Sequence, residues 1–180
     1  AHQHAQAAQA KAKQTATPFR PKFFTRHEYA TVTLLANMVI PKDERSGSAS
    51  DAGVPAFMDF MMVDQPARQT AMRGGLAWLD REAVSRYDKT FIAATAEERG
   101  KILDDIAWPQ QAKPEMRHGV AFFNRFRDLT AAGFFSSEMG YKDVKFVGNV
   151  FNPDWNGCPP EAMQKLGVSH DVMKTRIPVE

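Results

Sequence analysis

Between Phe23 and Ala132, apolar residues recur at three- and four-residue steps. That spacing gathers side chains on one face of an α-helix. Behind Phe23-Phe24, Thr25 and Glu28 have capping-box spacing, in which a hydroxyl and a carboxylate satisfy amides left orphaned by the first helical turn. Tyr29, Val32, Leu35, Ala36 and Val39 then form one apolar stripe, and Pro41 stops it. Lys42 to Gly53 is polar and rich in Ser and Gly, which predicts a flexible surface loop rather than a packed element. A second helix is expected from near Val54 to Val63, with Phe57, Phe60 and Met61 on its buried side. Pro66 suits the first turn of a third, because its missing amide costs little there. Ala67, Ala71, Leu76, Leu79 and Val84 keep the helical rhythm, while Gly74-Gly75 is expected to loosen or bend that segment.

Thr95 and Glu98 repeat the capping-box spacing, and Ile102, Leu103, Ile106 and Ala107 build the apolar face of a helix ending before Pro109. Glu115 to Ala132 predicts the longest helix, striped by Met116, Val120, Phe123 and Phe126, with Phe122 broadening the stripe. The β-leaning stretch Val144 to Phe151 is short and interrupted by Gly148, so no strand is expected. The fold class that follows is all-α: a single-domain bundle of about five or six helices. It spans 23–168, between an N-terminal arm over 1–22 and a C-terminal tail over 169–180. The first eighteen residues hold almost nothing large and apolar, so their ordering entropy has no core burial to offset it, and the arm reads as mobile. From Phe134 onward the chain reads as irregular and aromatic-rich.

Composition narrows the function classes. The formal net charge is +2 and no basic block is present, which argues against nucleic acid, whose phosphates call for concentrated positive charge. No apolar run approaches the length that spans a bilayer, so membrane association would have to come through another protein. A chain beginning at Ala1 is what signal peptidase leaves after cleavage beside small residues, and export is the expectation drawn from it. A single Cys against thirteen Phe and nine Met also suits an exported protein that folds without disulfides of its own.

Candidate chemistry is sparse. The glycines do not form a dinucleotide-binding or phosphate-cradling motif, so no cofactor is expected in this chain. His2 and His4 lack further ligands nearby in sequence and read as solvent-exposed. Glu97-Glu98 and Asp104-Asp105 are helical neighbours that point in different directions, as solvated faces do. His118 lies one turn before Phe122-Phe123. It reads as a hydrogen-bonded structural histidine, with a haem or flavin contact in a neighbouring chain, or an acid/base role beside a helical carboxylate, as the alternatives. Cys158 stands in the turn-forming string Trp155-Asn156-Gly157-Cys158-Pro159-Pro160. In a reducing compartment such a thiol is a small apolar residue; in an oxidising one it tends to pair with another chain. Phe134, Phe135, Tyr141, Phe146, Phe151 and Trp155 are dense for a segment without regular periodicity. They either close the helical core from one end or, with Asn156 and Pro159, form the anchors of a protein interface.

The order of these motifs resembles the gluconate 2-dehydrogenase subunit 3 family, the small subunits of membrane-associated flavin-dependent sugar and sugar-acid dehydrogenases. The resemblance runs through Phe24-Thr25, Leu34-Leu35-Ala36-Asn37-Met38-Val39-Ile40-Pro41, the acidic Ser/Gly-rich loop and Ala52-Gly53-Val54. It continues in Phe134-Phe135-Ser136-Ser137-Glu138-Met139-Gly140-Tyr141, Trp155-Asn156-Gly157-Cys158-Pro159 and Leu166-Gly167, covering about 23–168. It implies a periplasmic complex in which a large GMC-type flavoprotein holding FAD oxidises a sugar, and a multihaem cytochrome c carries electrons to the membrane. The small chain would stabilise the flavoprotein and escort it through twin-arginine export, touching the membrane only through the cytochrome. In some relatives a small-subunit cysteine forms a disulfide with the catalytic subunit, and Cys158 is the residue of this chain that could do so. An export chaperone released after delivery, and an independent helical enzyme using His118, are the competing expectations.

Overall fold

The computed structural model describes residues 19–146, 148 and 157–168. By internal contact the chain divides into two compact units, residues 1–146 and 147–180, a boundary that falls inside the stretch expected to form one domain. Each unit is described by itself. The elements of the first are α1 (Arg26–Val39), α2 (Val54–Asp64), α3 (Gln69–Tyr87), α4 (Ala96–Ala107), α5 (Arg117–Phe135) and α6 (Glu138–Asp143). Single 3-10 turns, Pro66–Arg68 and Pro114–Met116, lead into α3 and α5. The second unit contributes α7 (Pro160–Leu166), and no strand occurs among the described residues.

Both predicted capping boxes are present. Thr25 Oγ1 accepts from the Glu28 amide at 3.2 Å, and Glu28 Oε2 accepts from the Thr25 amide at 2.8 Å. Thr95 and Glu98 repeat the arrangement at 3.2 and 2.7 Å. Satisfying both amides at once fixes where each helix starts, which is why spacing alone located them. Val32, Leu35 and Ala36 of α1, and Ile102 and Ile106 of α4, are the buried positions of their stripes.

Helix α5 is the centre of the first unit and packs against α1, α2, α3, α4 and α6. Its crossing with α3 is close because each helix offers a glycine to an aromatic ring of the other. A Cβ on Gly75 would lie 1.8 Å from Phe122 Cδ2, and one on Gly119 would lie 2.4 Å from Trp78 Cη2. The Gly74-Gly75 pair therefore does not loosen α3, which runs unbroken from Gln69 to Tyr87. The contact made by the missing side chain offsets the poor helix propensity of glycine.

Other expectations are corrected by packing. The buried side of α2 is Phe57, Met58 and Met62, with Phe60 and Met61 only partly covered. The second half of the Lys42 to Gly53 loop is packed rather than flexible: Ala49 and Ala52 are fully buried. Asn37 ties that half to α1, its Nδ2 donating to Ser50 Oγ at 2.9 Å while its Oδ1 accepts from the Ser50 amide at 2.8 Å. The segment from Phe134, expected to be irregular, contains the end of α5 and all of α6.

The N-terminal boundary also shifts. Residues 19–22, assigned to the arm, are held against the first unit: the Phe19 ring lies 5.5 Å from that of Tyr29, and Asp59 of α2 anchors the backbone that follows. Its carboxylate, 1% exposed, accepts from the amides of Lys22, Phe23 and Phe24 at 2.7, 2.9 and 3.0 Å. Three donors around one anion are what make burial of the charge tolerable. Burial, together with the nearby negative charge of Asp59, pushes the Tyr29 phenol up to about 12. Residues 1–18, with His2 and His4, and the tail 169–180 lie outside the described residues.

Candidate functional site

The residues expected to form an interface separate into distinct environments. Phe134 is 1% exposed and belongs to the core, so it is withdrawn from the expected surface: at this point of α5 its side chain faces the bundle. Its ring meets Phe135 edge-on at 5.2 Å, and Phe135, one position further round the helix, is 43% exposed. Tyr141 and Phe146 are 43% and 62% exposed, with Val144 also exposed between them.

What holds these aromatics is the stop of a short helix. Ser137 caps α6, its Oγ accepting from the Gly140 amide at 3.1 Å and donating to the Phe134 carbonyl at 2.6 Å. At the other end Lys145 is left-handed, with φ of 53°. The Phe146 amide donates to the Tyr141 carbonyl at 2.9 Å and the Lys145 amide to the Lys142 carbonyl at 3.2 Å. This is the Schellman arrangement, whose usual companion is an apolar contact between the same two outer residues. Here that contact is the ring pair Tyr141–Phe146, with centroids 5.5 Å apart. The backbone beneath the two rings is thus fixed by local hydrogen bonding while much of the rings' surface stays in solvent.

Phe151, Trp155 and Asn156 lie outside the described residues. In the second unit Cys158 carries a free, exposed thiol, and the exposed Pro159 precedes α7. Gly167, left-handed at φ 64°, ends that helix, with the Val168 amide donating to the Met163 carbonyl at 3.2 Å.

His118 is exposed on the first turn of α5, beside a hollow of 390 Å³ between α3 and α5. The ionisable residues lining that hollow are Arg81, His118 and Arg125, with no carboxylate among them. The helical acids considered as partners are engaged elsewhere: Glu97 with Lys101 at 2.8 Å, Glu98 with Lys89 at 3.2 Å, and Asp105 with Arg86 at 2.7 Å. Arg117 Nε donates to His118 Nε2 at 3.4 Å. The geometry therefore does not assemble the acid/base pair. Among the described residues no group of three or more His, Cys, Asp and Glu side chains is placed to hold a metal.

Asp59, Arg81 and Arg125 were missed by sequence reasoning. A lone carboxylate inside the apolar string of α2 was a usable signal, since it has to find donors if that helix is buried. Arg81 and Arg125 gave none, because only the crossing of α3 with α5 brings them to one hollow.

The fold and surface define an all-helical chain whose exposed large apolar side chains include the paired rings of Tyr141 and Phe146. Residues 26–153, more than two thirds of the chain, match the model of the family described as gluconate 2-dehydrogenase subunit 3, and the chain belongs to that family. No curated protein and no solved structure matches it.

Proposed function

We propose that this chain is the non-catalytic small subunit of a periplasmic, FAD-dependent dehydrogenase of sugars or sugar acids. In this reading a GMC-type flavoprotein holds FAD and performs the oxidation, and a multihaem cytochrome c receives the electrons and links the complex to the membrane. The small chain stabilises the folded flavoprotein by binding it and escorts it through twin-arginine export. The observation that carries the reading is membership of a dehydrogenase-subunit family across residues 26–153. The exposed Phe135, Tyr141 and Phe146 support it, since rigid aromatic side chains supply much of the binding energy at protein interfaces. Cys158, exposed and free, would in this reading form a disulfide with the flavoprotein in an oxidising compartment.

Co-expression with the flavoprotein tests this. The two chains are expected to elute together from a sizing column, and the triple variant Phe135→Ser, Tyr141→Ser, Phe146→Ser to lose about 2 kcal/mol or more of association while its helical circular dichroism is kept. A chain that stays monomeric beside the flavoprotein, or that alone reduces a dye acceptor with sugar when flavin is added, would refute the proposal. A chain found with the flavoprotein before export and absent from the mature complex would instead identify a released chaperone.

A further inference from the structure

Beside the hollow at His118 lies a second, larger one of 620 Å³, and the two share Ala71, Phe122 and Arg125. Together they form a continuous groove along the crossing of α3 and α5. Its floor is apolar, made by Met62, Met72, Phe126 and Leu129. Ala71, Gly74, Ala121 and Ala132 line it at exposed positions, so among the described residues its walls between the charged side chains are small.

The rim is cationic. Arg68, Arg81 and Arg125 are all exposed and meet no carboxylate among the described residues. Arg45, Arg73 and Arg86 of the same unit are each matched to an acid, at 3.0, 3.5 and 2.6 Å, whereas Arg26 and Arg117, like the rim, meet none among the described residues; only at the rim do three such arginines border one apolar floor. The acid bordering the groove, Asp128, lies 3.2 Å from Arg127. An apolar trough bordered by three guanidiniums against one acid, Asp128, is net cationic and complementary to a ligand that presents carboxylates beside apolar side chains.

We propose that this groove seats an acidic, amphipathic segment of the partner protein, its carboxylates on Arg81 and Arg125 and its apolar side chains on the floor. The inference rests on the subunit reading above and adds to it a second docking surface, apart from the aromatic one. The chain's own first eighteen residues are the wrong occupant by charge, since they contain Lys11 and Lys13 and no Asp or Glu.

The test titrates the purified flavoprotein into labelled wild-type chain, into Arg81→Glu/Arg125→Glu and into Ala121→Glu, from low to high ionic strength. All three substituted positions are exposed, and circular dichroism checks that each variant keeps its helices. Double charge reversal is expected to weaken binding about tenfold or more and to flatten its salt dependence. Ala121→Glu, which leaves both arginines in place, is expected to weaken it by adding a like charge to the groove. Wild-type affinity in both variants overturns the groove proposal while leaving the subunit reading intact. Absence of binding by the wild-type chain overturns both. Salt-dependent self-association of the chain, lost in the same variants, would show a second copy in the groove and likewise overturn the proposal.

Discussion

Replacing Gly75 with Ala probes the contact on which the α3–α5 crossing depends. The added Cβ would sit 1.8 Å from Phe122 Cδ2 and 2.1 Å from its Cγ. Carbon atoms in contact prefer about 3.5 to 4.0 Å, so ring and helix must separate by about 2 Å. Phe122 has little room to yield, being 5% exposed and 5.7 Å in ring centroid from Phe126. Overpacking of this kind costs about 1 to 3 kcal/mol, against which the better helix propensity of Ala returns up to about 1 kcal/mol. The neighbouring substitution isolates the propensity effect: a Cβ on Gly74 meets nothing within 4 Å. Gly74→Ala should therefore stabilise by about 0.5 to 1 kcal/mol. In a chain of this size each kcal/mol moves the melting midpoint by about 2 to 4 °C, so the two variants should melt several degrees apart on opposite sides of wild type. Thermal and urea unfolding followed by circular dichroism measure the gap. A Phe122→Ala background should remove the penalty on Gly75→Ala but leave the gain at Gly74 unchanged. Equal stabilisation by the two alanines in the wild-type background would refute the close-approach argument.

Asp59→Asn should cost about 2 kcal/mol, because a neutral amide with one acceptor oxygen replaces a carboxylate serving three backbone donors; urea unfolding checks it, and an unchanged midpoint would refute the anchor. The Tyr29 phenol, raised to about 12 in the fold, should escape ionisation when ordinary tyrosines titrate near 10. Its contribution to stability is complete below pH 10 and is lost as pH rises toward 12, so Tyr29→Phe should flatten the alkaline limb of stability against pH, and ultraviolet absorbance should place its titration above that of the other tyrosines. Cys158→Ser should leave the helices intact yet lower the melting midpoint of the complex with the flavoprotein, by the effect of a linkage worth about 2 to 4 kcal/mol. A non-reducing gel of the wild-type complex should show the two chains as one band that reductant splits, and two bands without reductant would defeat the disulfide.

The candidate interface was legible as residue types and not as a surface. Six clustered aromatics could be counted in the sequence, but Phe134 and Phe135 are neighbours with opposite fates. Rotation about the α5 axis sends one into the bundle and the other to solvent. Asn37 carried no signal beyond its place in a motif, and it ties the following loop to α1 through Ser50. His118 was visible as a candidate, but its surroundings were not, since Arg81 lies on another helix and Arg125 two turns further along its own.

The all-α class follows from features confined to short windows: capping boxes at Thr25 and Thr95, proline stops, and apolar stripes whose period is a property of the helix itself, while the family resemblance rests on the order of short motifs such as Leu34 to Pro41 and Phe134 to Tyr141. Such features depend on backbone geometry over a few residues, which the sequence specifies directly. The glycine-on-ring crossing of Gly75 with Phe122, the three amides gathered by Asp59, and the arginine-rimmed groove join positions many turns apart. Each exists only once the helices have packed. Packing depends on the shapes and volumes of side chains from several elements together, and no local pattern encodes it.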